Sequence, residues 1–370
     1  MVTRKTTKVK PKSIVSGEEQ SEPKLEKKFD KLIVVIIHQN TPDYLKVCMP
    51  SILEQTYKNF NVIFIDNSSS DREGIEFMHN TYDSDQRVTI IANTENRNFA
   101  KAANQGIRMA LSRGAKYVSI ISPEVVISPD YYEKLVDHSK KHPKVAGTTG
   151  KIYLYDFNNL KPTDIIDSAG LVAYRNRRIV DAGQGIVDDG KYNEDREIFG
   201  TSGVCPLYNI AALEDTKILD EYFDEDFGKY KEDADLSWRF LLYGWKSLYC
   251  PHAIAYHARG QVVQTTFTAQ EFIKSRKNLS KIQKETSFRN QLLMQAKNEL
   301  WGTFWKDFGP IMSVKLITPF YMTFAERYLW KGYAAYLKKL TRILKKRSII
   351  MKNKRVTAKE MVKWFRGESF

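Results

Sequence analysis

Cysteine is scarce: Cys48, Cys205 and Cys250 are the only three in 370 residues, far apart and without a C-x-x-C pair. Neither a disulfide framework nor a structural zinc site follows, and a reducing cytosol suits such a chain. Long apolar runs are missing too, since no stretch reaches the ~18 uninterrupted apolar residues of a membrane-crossing helix. Residues 1–30 are polar, Lys-rich and without an apolar segment, which reads as a disordered basic tail and not as a signal peptide. Two glycine cradles are also absent. No G-x-G-x-x-G follows the first apolar run and no G-x-x-x-x-G-K-[ST] occurs anywhere, which excludes the usual dinucleotide and NTP γ-phosphate sites.

What the chain does have is 42% hydrophobic residues and a net charge of +14. That is enough apolar content for a real core across two or three domains. The charge is regional: residues 259–370 hold 24 Lys+Arg against 7 Asp+Glu, and residues 1–258 hold 34 against 37. No recognition fold accompanies the basic end, so nucleic acid is not an expected partner.

"LIVVII" (32–37) is apolar throughout and rich in β-branched residues, as befits a strand buried on both faces of a parallel sheet. "NVIFID" (61–66), "VTIIAN" (88–93) and "YVSIIS" (117–122) follow. A helix starts at Thr41-Pro42, with Thr41 as N-cap, and another spans about Phe99 to Ser112, with Ala100, Ala103, Ile107, Ala110 and Leu111 on one stripe and Gly114 just beyond it. Strand and helix alternate from 31 to 122, which predicts an open, mostly parallel α/β sheet continued as a mixed sheet over 145–230. Ligands of such sheets bind outside the carboxyl ends of the strands. Those ends carry Asn40, Asp66-Asn67-Ser68-Ser69, Asn93 and Ser122-Pro123-Glu124, a row of carboxylates and amides. It suits a nucleotide held through its base and ribose and through a divalent cation on its phosphates.

In "YKEDADLSWRFLLYGW" (230–245) the helical spacing puts Leu236 and Phe240 on one face and Trp238, Leu241 and Leu242 on another. A largely buried helix over about 231–243, ended by Gly244, is expected. Asp235 stands four residues before Arg239 and reads as its structural partner. Glu232 and Asp233 lie in the first turn, where the helix dipole favours anions; either that complementarity explains them, or they are aimed out of a buried element as a catalytic base requires.

"VVIIHQNTPDYLKVCMPSILEQTYKNFNVIFIDNSSSD", "NRNFAKAANQGIRMA", "ISPEVVISPDYY", "GTSGVCPLY", "YKEDADLSWRFLLYGW" and "CPHAIAYHARG", in that order over about 31–260, resemble bacterial glycosyltransferase family 2, particularly its rhamnosyltransferase-like members. The resemblance implies a GT-A fold (α/β, a Rossmann-like mixed, mostly parallel sheet flanked by helices) over 31–260, and a single inverting displacement. The family's E-D-x-D-L-x-x-R block falls on Glu232, Asp233, Asp235, Leu236 and Arg239. Asp233 then matches the catalytic base and Glu232 its neighbour near the acceptor. The D-x-D metal motif falls on Ser122-Pro123-Glu124, so Glu124 and His257 would hold a Mg²⁺ or Mn²⁺ ion, although Glu124 is longer than the family's Asp. Asp66, Asn67 and Asn40 match the nucleoside end, Asn104 a donor-facing amide, and Ser202 and Gly203 the turn facing the reacting sugar. Asx turns, helix caps, a plain tight turn and a solvent-facing strand-end histidine are the alternatives for these residues. Asn98 stands where the family often has glycine.

Residues 261–370 read as helical and basic. In "YLWKGYAAYLKKLTRILKK" (328–346) apolar residues recur at helical spacing between lysines, which suits either an anionic membrane surface or a helix on the catalytic domain with a solvated basic face. Trp301, Trp305 and "VKLITPFYMTF" add apolar area upstream. The expected protein is a glycosyltransferase at the inner face of the cell membrane. It would move rhamnose or another hexose from a nucleoside-diphosphate sugar to a glycan or polyprenyl-linked hydroxyl. A non-catalytic sugar-nucleotide-binding subunit, or a membrane scaffold, is the alternative.

Overall fold

The computed structural model describes residues 30–259 and 279–367 together with Met1, so the expected tail over 1–30 lies almost wholly outside the described residues. β1 (Leu32–His38) is buried at every residue, as its apolar run predicts. In chain order there follow α1 (Pro42–Leu53), β2 (Phe60–Asp66), α2 (Glu73–Tyr82), β3 (Val88–Ala92), α3 (Asn98–Ser112), β4 (Tyr117–Ile121), β5 (Val125–Ile127) and α4 (Tyr131–Lys140). Then come β6 (Val145–Asp156), β7 (Lys161–Ser168), β8 (Leu171–Ala173), β9 (Ile179–Asp181), β10 (Arg196–Ile198), β11 (Leu207–Asn209), α5 (Ile210–Thr216), α6 (Glu232–Leu242) and β12 (Lys246–His257).

The main sheet runs β10-β12-β6-β11-β4-β1-β2-β3, with β5 added to β12 and β7 to β6. β1, β2, β3 and β4 are parallel, β11 is antiparallel between β4 and β6, and β12 is parallel to β6. This is the expected mixed, mostly parallel sheet. Alternate residues of β1 feed two cores: Leu32, Val34 and Ile36 meet α1 and α4, whereas Ile33, Val35 and Ile37 meet α3 and α6. Helices thus cover both faces, and the chain's crossovers bring the polar strand ends to one edge.

Two local expectations need correction. Thr41 makes no side-chain cap; its N–H instead donates to His38 Nε2 at 3.2 Å. Leu111 is 40% exposed and leaves the α3 stripe to Ala100, Ala103, Ile107 and Ala110.

The C-terminal region forms α7 (Lys281–Asn298), α8 (Trp301–Lys306), α9 (Phe308–Phe324), α10 (Leu329–Asn353) and α11 (Ala358–Val362), followed by a 3-10 turn (Lys363–Phe365). It packs onto α6. Asp235 accepts from Lys297 Nζ and Asn298 Nδ2, both at 2.8 Å, and lies 3.4 Å from Arg239 Nε, so Asp235 is scaffold as read but ties α6 to α7. Asn290 Nδ2 donates to the carbonyls of Phe227, Lys229 and Tyr230, holding the turn that leads into α6. On α10, Lys346 is buried against Glu221, Asp224 and Asp226, Arg342 bridges Glu221 and Asp226, and Lys339 reaches Asp226. Lys331, Lys338 and Lys345 stay exposed. Three of the eight cations on this amphipathic helix therefore face an acidic cluster of the sheet domain.

Candidate active site

The first turn of α6 begins after two residues with positive φ, Tyr230 (72°) and Lys231 (70°). Between them this left-handed pair turns the chain sharply into α6, which is buried at every residue except Asp233. Asp233 is partly exposed there. Its Oδ2 accepts from Gly203 N at 3.0 Å and its Oδ1 from Ala234 N at 2.7 Å. Each carboxylate oxygen has two lone-pair positions, so one amide bond apiece orients the group and leaves acceptor capacity free.

The loop from Gly200 to Gly203 lies along that turn. A Cβ on Gly200 would sit 2.1 Å from Ser237, and one on Gly203 3.2 Å from Asp233. Asp233 and Ser237 are one helical turn apart, so glycine at both positions lets the loop approach α6, and Gly203 lies against the Asp233 carboxylate.

Burial pushes the Glu232 carboxyl up to about 8, with the neighbouring Asp233 charge adding to it, and Glu232 Oε2 is buried without a hydrogen bond among the described residues. Burial also raises Asp233, with Asp181 the next cause. The pair therefore holds a proton at neutral pH, and the carboxylate that keeps solvent access and two orienting amides is Asp233. Asp181, at the end of β9, shows no marker in the sequence. Its Oδ2 accepts from Arg259 Nη2 at 3.1 Å, and Arg259 also pairs with the buried Asp167.

Asp167 orients the candidate metal histidine: its Oδ2 lies 2.8 Å from His257 Nδ1. His257 pairs with Val125 across β12 and β5, and Ala258 N donates to Glu124 O at 2.8 Å, so Glu124 and His257 are brought side by side. A histidine steered by a carboxylate on one ring nitrogen presents the other to a cation. With Glu124, whose carboxylate has no hydrogen bond among the described residues, this gives one oxygen and one nitrogen donor, a set that fits Mg²⁺ or Mn²⁺. A second group, His138, Asp195 and Cys250, has ligand atoms within 4.8 Å of one another but lies further back along β12, apart from these residues.

At the β1–β2 ends, Asp66 Oδ1 accepts from His38 Nδ1 (2.9 Å) and Ser69 Oγ (2.6 Å), and Oδ2 from Ser69 N (3.1 Å). Burial works to raise this carboxyl, but the bonds from His38 and Ser69 outweigh it and hold it below the ordinary range. Because Thr41 N–H donates to His38 Nε2, the imidazole proton sits on Nδ1 and points at Asp66. Asn40, at φ 54°, is exposed and accepts from Ser70 N at 2.7 Å. Asn67 is buried, and its amide knits Asn93, Asn96 and Arg97 N together. Asn98 adopts φ 52°, a left-handed conformation that asparagine tolerates better than most residues and glycine adopts freely.

Asn104 departs from the reading of a donor-facing amide. It is fully buried, with Nδ2 donating to Phe223 O (2.9 Å) and Glu225 Oε1 (3.2 Å) and Oδ1 accepting from Phe223 N (2.8 Å). Both amide atoms are engaged in anchoring the 223–225 loop to α3.

Residues 33–215 match the family described as "Glycosyl transferase family 2", a span that ends ahead of α6. An N-acetylglucosaminyltransferase of Bradyrhizobium diazoefficiens is 28% identical over 229 residues, covering 60% of this chain and 44% of that protein. The poly-beta-1,6-N-acetyl-D-glucosamine synthase of Staphylococcus epidermidis is 25% identical over 218 residues, covering 59% and 47%. Glycosyltransferase GlyG of Streptococcus pneumoniae is 31% identical over 124 residues, covering 33% and 39%. This chain spans about half of these relatives' length or less. Among solved structures, GalNAc-T7 with UDP, GalNAc and Mn²⁺ superposes with a TM-score of 0.58 at 13% identity, over 84% of this chain and 56% of that one, a likeness of fold. Together with the sheet order, these matches show a GT-A-like fold in which residues 33–215 are similar to the glycosyl transferase family 2 model.

Proposed function

We propose that this protein is an inverting glycosyltransferase that moves a sugar from a nucleoside-diphosphate donor to an acceptor hydroxyl, with Asp233 as general base. The observation that carries the reading is the setting of Asp233. It is a partly exposed carboxylate on a buried helix, oriented by two backbone amides, its basicity raised by burial and by Asp181. Asp233 accepts the acceptor's proton as the hydroxyl oxygen bonds to the anomeric carbon. The bond from that carbon to the diphosphate breaks, and the diphosphate leaves with the electron pair from the opposite face. Glu232, neutral beside it, leaves the ionised role to Asp233.

The nucleoside rests against the β1–β2 edge, where Asp66 Oδ2 keeps a lone pair for a ribose or base donor and Asn40 is exposed; Asn67 and Asn104 act by holding the surrounding loops. Ser202 and Gly203 border the reacting sugar. Glu124 and His257 would hold a Mg²⁺ or Mn²⁺ ion, which would supply positive charge beside the diphosphate. Relatives named for N-acetylglucosamine support a UDP-N-acetylhexosamine donor beside dTDP-L-rhamnose and other UDP-hexoses, with a glycan or polyprenyl-linked acceptor.

The test is Asp233→Asn. Donor turnover should fall ~10²–10⁴-fold while the thermal shift produced by the nucleoside diphosphate is retained. Near-full turnover in that variant would place the base elsewhere.

A further inference from the structure

Among the described residues, exposed large apolar side chains concentrate on α8 and α9. α9 is rich in apolar residues, yet only Ile311 and Met322 are buried. Ser313, Val314, Lys315, Leu316 and Ile317 are all exposed. Five consecutive exposed residues exceed the 3.6 of one helical turn, so the helix is bare around its whole circumference there. Leu316, Ile317, Phe320 and Phe324 are each at least 65% exposed, as is Trp301 on α8, with Trp305 at 64%. Trp305 stacks on Phe308 at 5.3 Å, continuing the patch from α8 into α9.

Charge decides what covers it. Between Leu300 and Lys331 the acids are Asp307 and Glu326. Both are buried in ion pairs, Asp307 with Arg175 and Arg177 and Glu326 with Lys284. Lys306, Lys315, Arg327 and Lys331 are exposed. The outward surface is thus apolar and cationic, with tryptophans at its margin, which complements an anionic lipid headgroup layer over hydrocarbon. Arg347 and Lys354, beside Leu344 and Met351, line a cavity of about 590 Å³ behind Trp301 and extend the same chemistry. No helix among the described residues is long and apolar enough to cross a membrane. At about 1.5 Å per residue, α9 falls short of the ~30 Å hydrocarbon core and suits the interface plane.

We infer that α8 and α9 insert into the interface of an anionic bilayer, as the membrane-seating element of this enzyme. This shifts the expected membrane contact away from α10, whose cations are partly engaged with the catalytic domain. Arg175 and Arg177 link Asp307, between α8 and α9, to the β8–β9 hairpin, which ends in Asp181 beside Asp233. Seating the helices therefore presents the acceptor side of the crevice to a lipid-linked hydroxyl, a consequence that rests on the function proposed above.

The experiment is co-sedimentation of the full chain with phosphatidylcholine vesicles, with and without phosphatidylglycerol, alongside tryptophan emission. Wild type should bind the anionic vesicles, bind neutral ones weakly, and blue-shift on binding. The triple variant Leu316→Glu, Ile317→Glu, Phe320→Glu alters only exposed side chains; its vesicle affinity should fall on the order of tenfold or more, with its thermal melt unchanged. Vesicle binding equal to wild type in that variant overturns the inference. So does wild type that ignores vesicles, including the case in which sedimentation shows the patch closed in a stable homodimer. Because vesicle binding needs no donor, a protein that binds membranes but transfers no sugar would sink the proposed function alone.

Discussion

At the scale of single residues, the proposed chemistry turns on three carboxylates drawn from two elements. Asp233 gains basicity from burial and then from the Asp181 charge, while Arg259 and Lys231 bear on the same cluster. Asp181→Asn removes the negative charge, so Asp233 ionises more readily and the acidic limb of kcat/KM moves to lower pH. The pH profile of donor turnover checks this, and an unmoved limb would show that Asp181 does not bear on the base. Asp233 and Glu232 were legible because they open a helix rich in apolar residues, whose other two charged residues, Asp235 and Arg239, are spaced to pair with each other. Asp181, Asp167 and His38 were not, because each acquires its role from a partner brought close only by the fold; His38 and Asp66, for example, are adjacent solely through the β1–β2 register.

At the scale of elements, α6 is clamped between the sheet and the C-terminal helices. Lys297 is fully buried, donates to Asp235 and Asp224, and lies 4.9 Å from the Phe227 ring centroid. Lys297→Met leaves buried carboxylates without that cation and should lower stability by about 3–5 kcal/mol, measured by denaturant unfolding. A loss below about 1 kcal/mol would mean that Lys346 and Arg239 suffice. The strands and α3 were readable from β-branched runs and from alanine spacing. Gly106 shows what spacing alone omits: a Cβ there would lie 2.4 Å from Val35, so α3 rests directly on β1. Thr41 and Leu111 misled because capping and stripe rules ignore a neighbouring imidazole and the finite width of the sheet.

At the scale of the whole molecule, two sets of carboxylates give stability opposite dependences on pH. Asp224 is raised by burial, but the charges of Lys297 and Lys346 outweigh this and hold it well below its ordinary 3.8. As pH falls below about 4 the unfolded chain takes up a proton that the native protein refuses, so stability drops. Glu232 does the reverse. Between its ordinary 4.5 and about 8 the native protein keeps a proton that the unfolded chain has released, so its contribution declines as pH rises through that window. Melting temperatures of wild type and Glu232→Gln should therefore diverge from pH 5 to pH 8 in favour of the variant; parallel curves would show that Glu232 titrates as an ordinary carboxylate.

The amino-acid sequence by itself determined the α/β alternation, the edge on which polar strand ends collect, and the carboxylate pair at the head of α6, because these follow from local periodicity and chain order. Only the tertiary structure decided that Asp181 and Arg259 join that pair, that Asn104 anchors a loop, and that Lys339, Arg342 and Lys346 face acids while the apolar residues of α9 face outward. A lysine or a leucine at helical spacing has the same pattern whether it meets solvent, lipid or protein, and the difference lies in which distant segment packs against it.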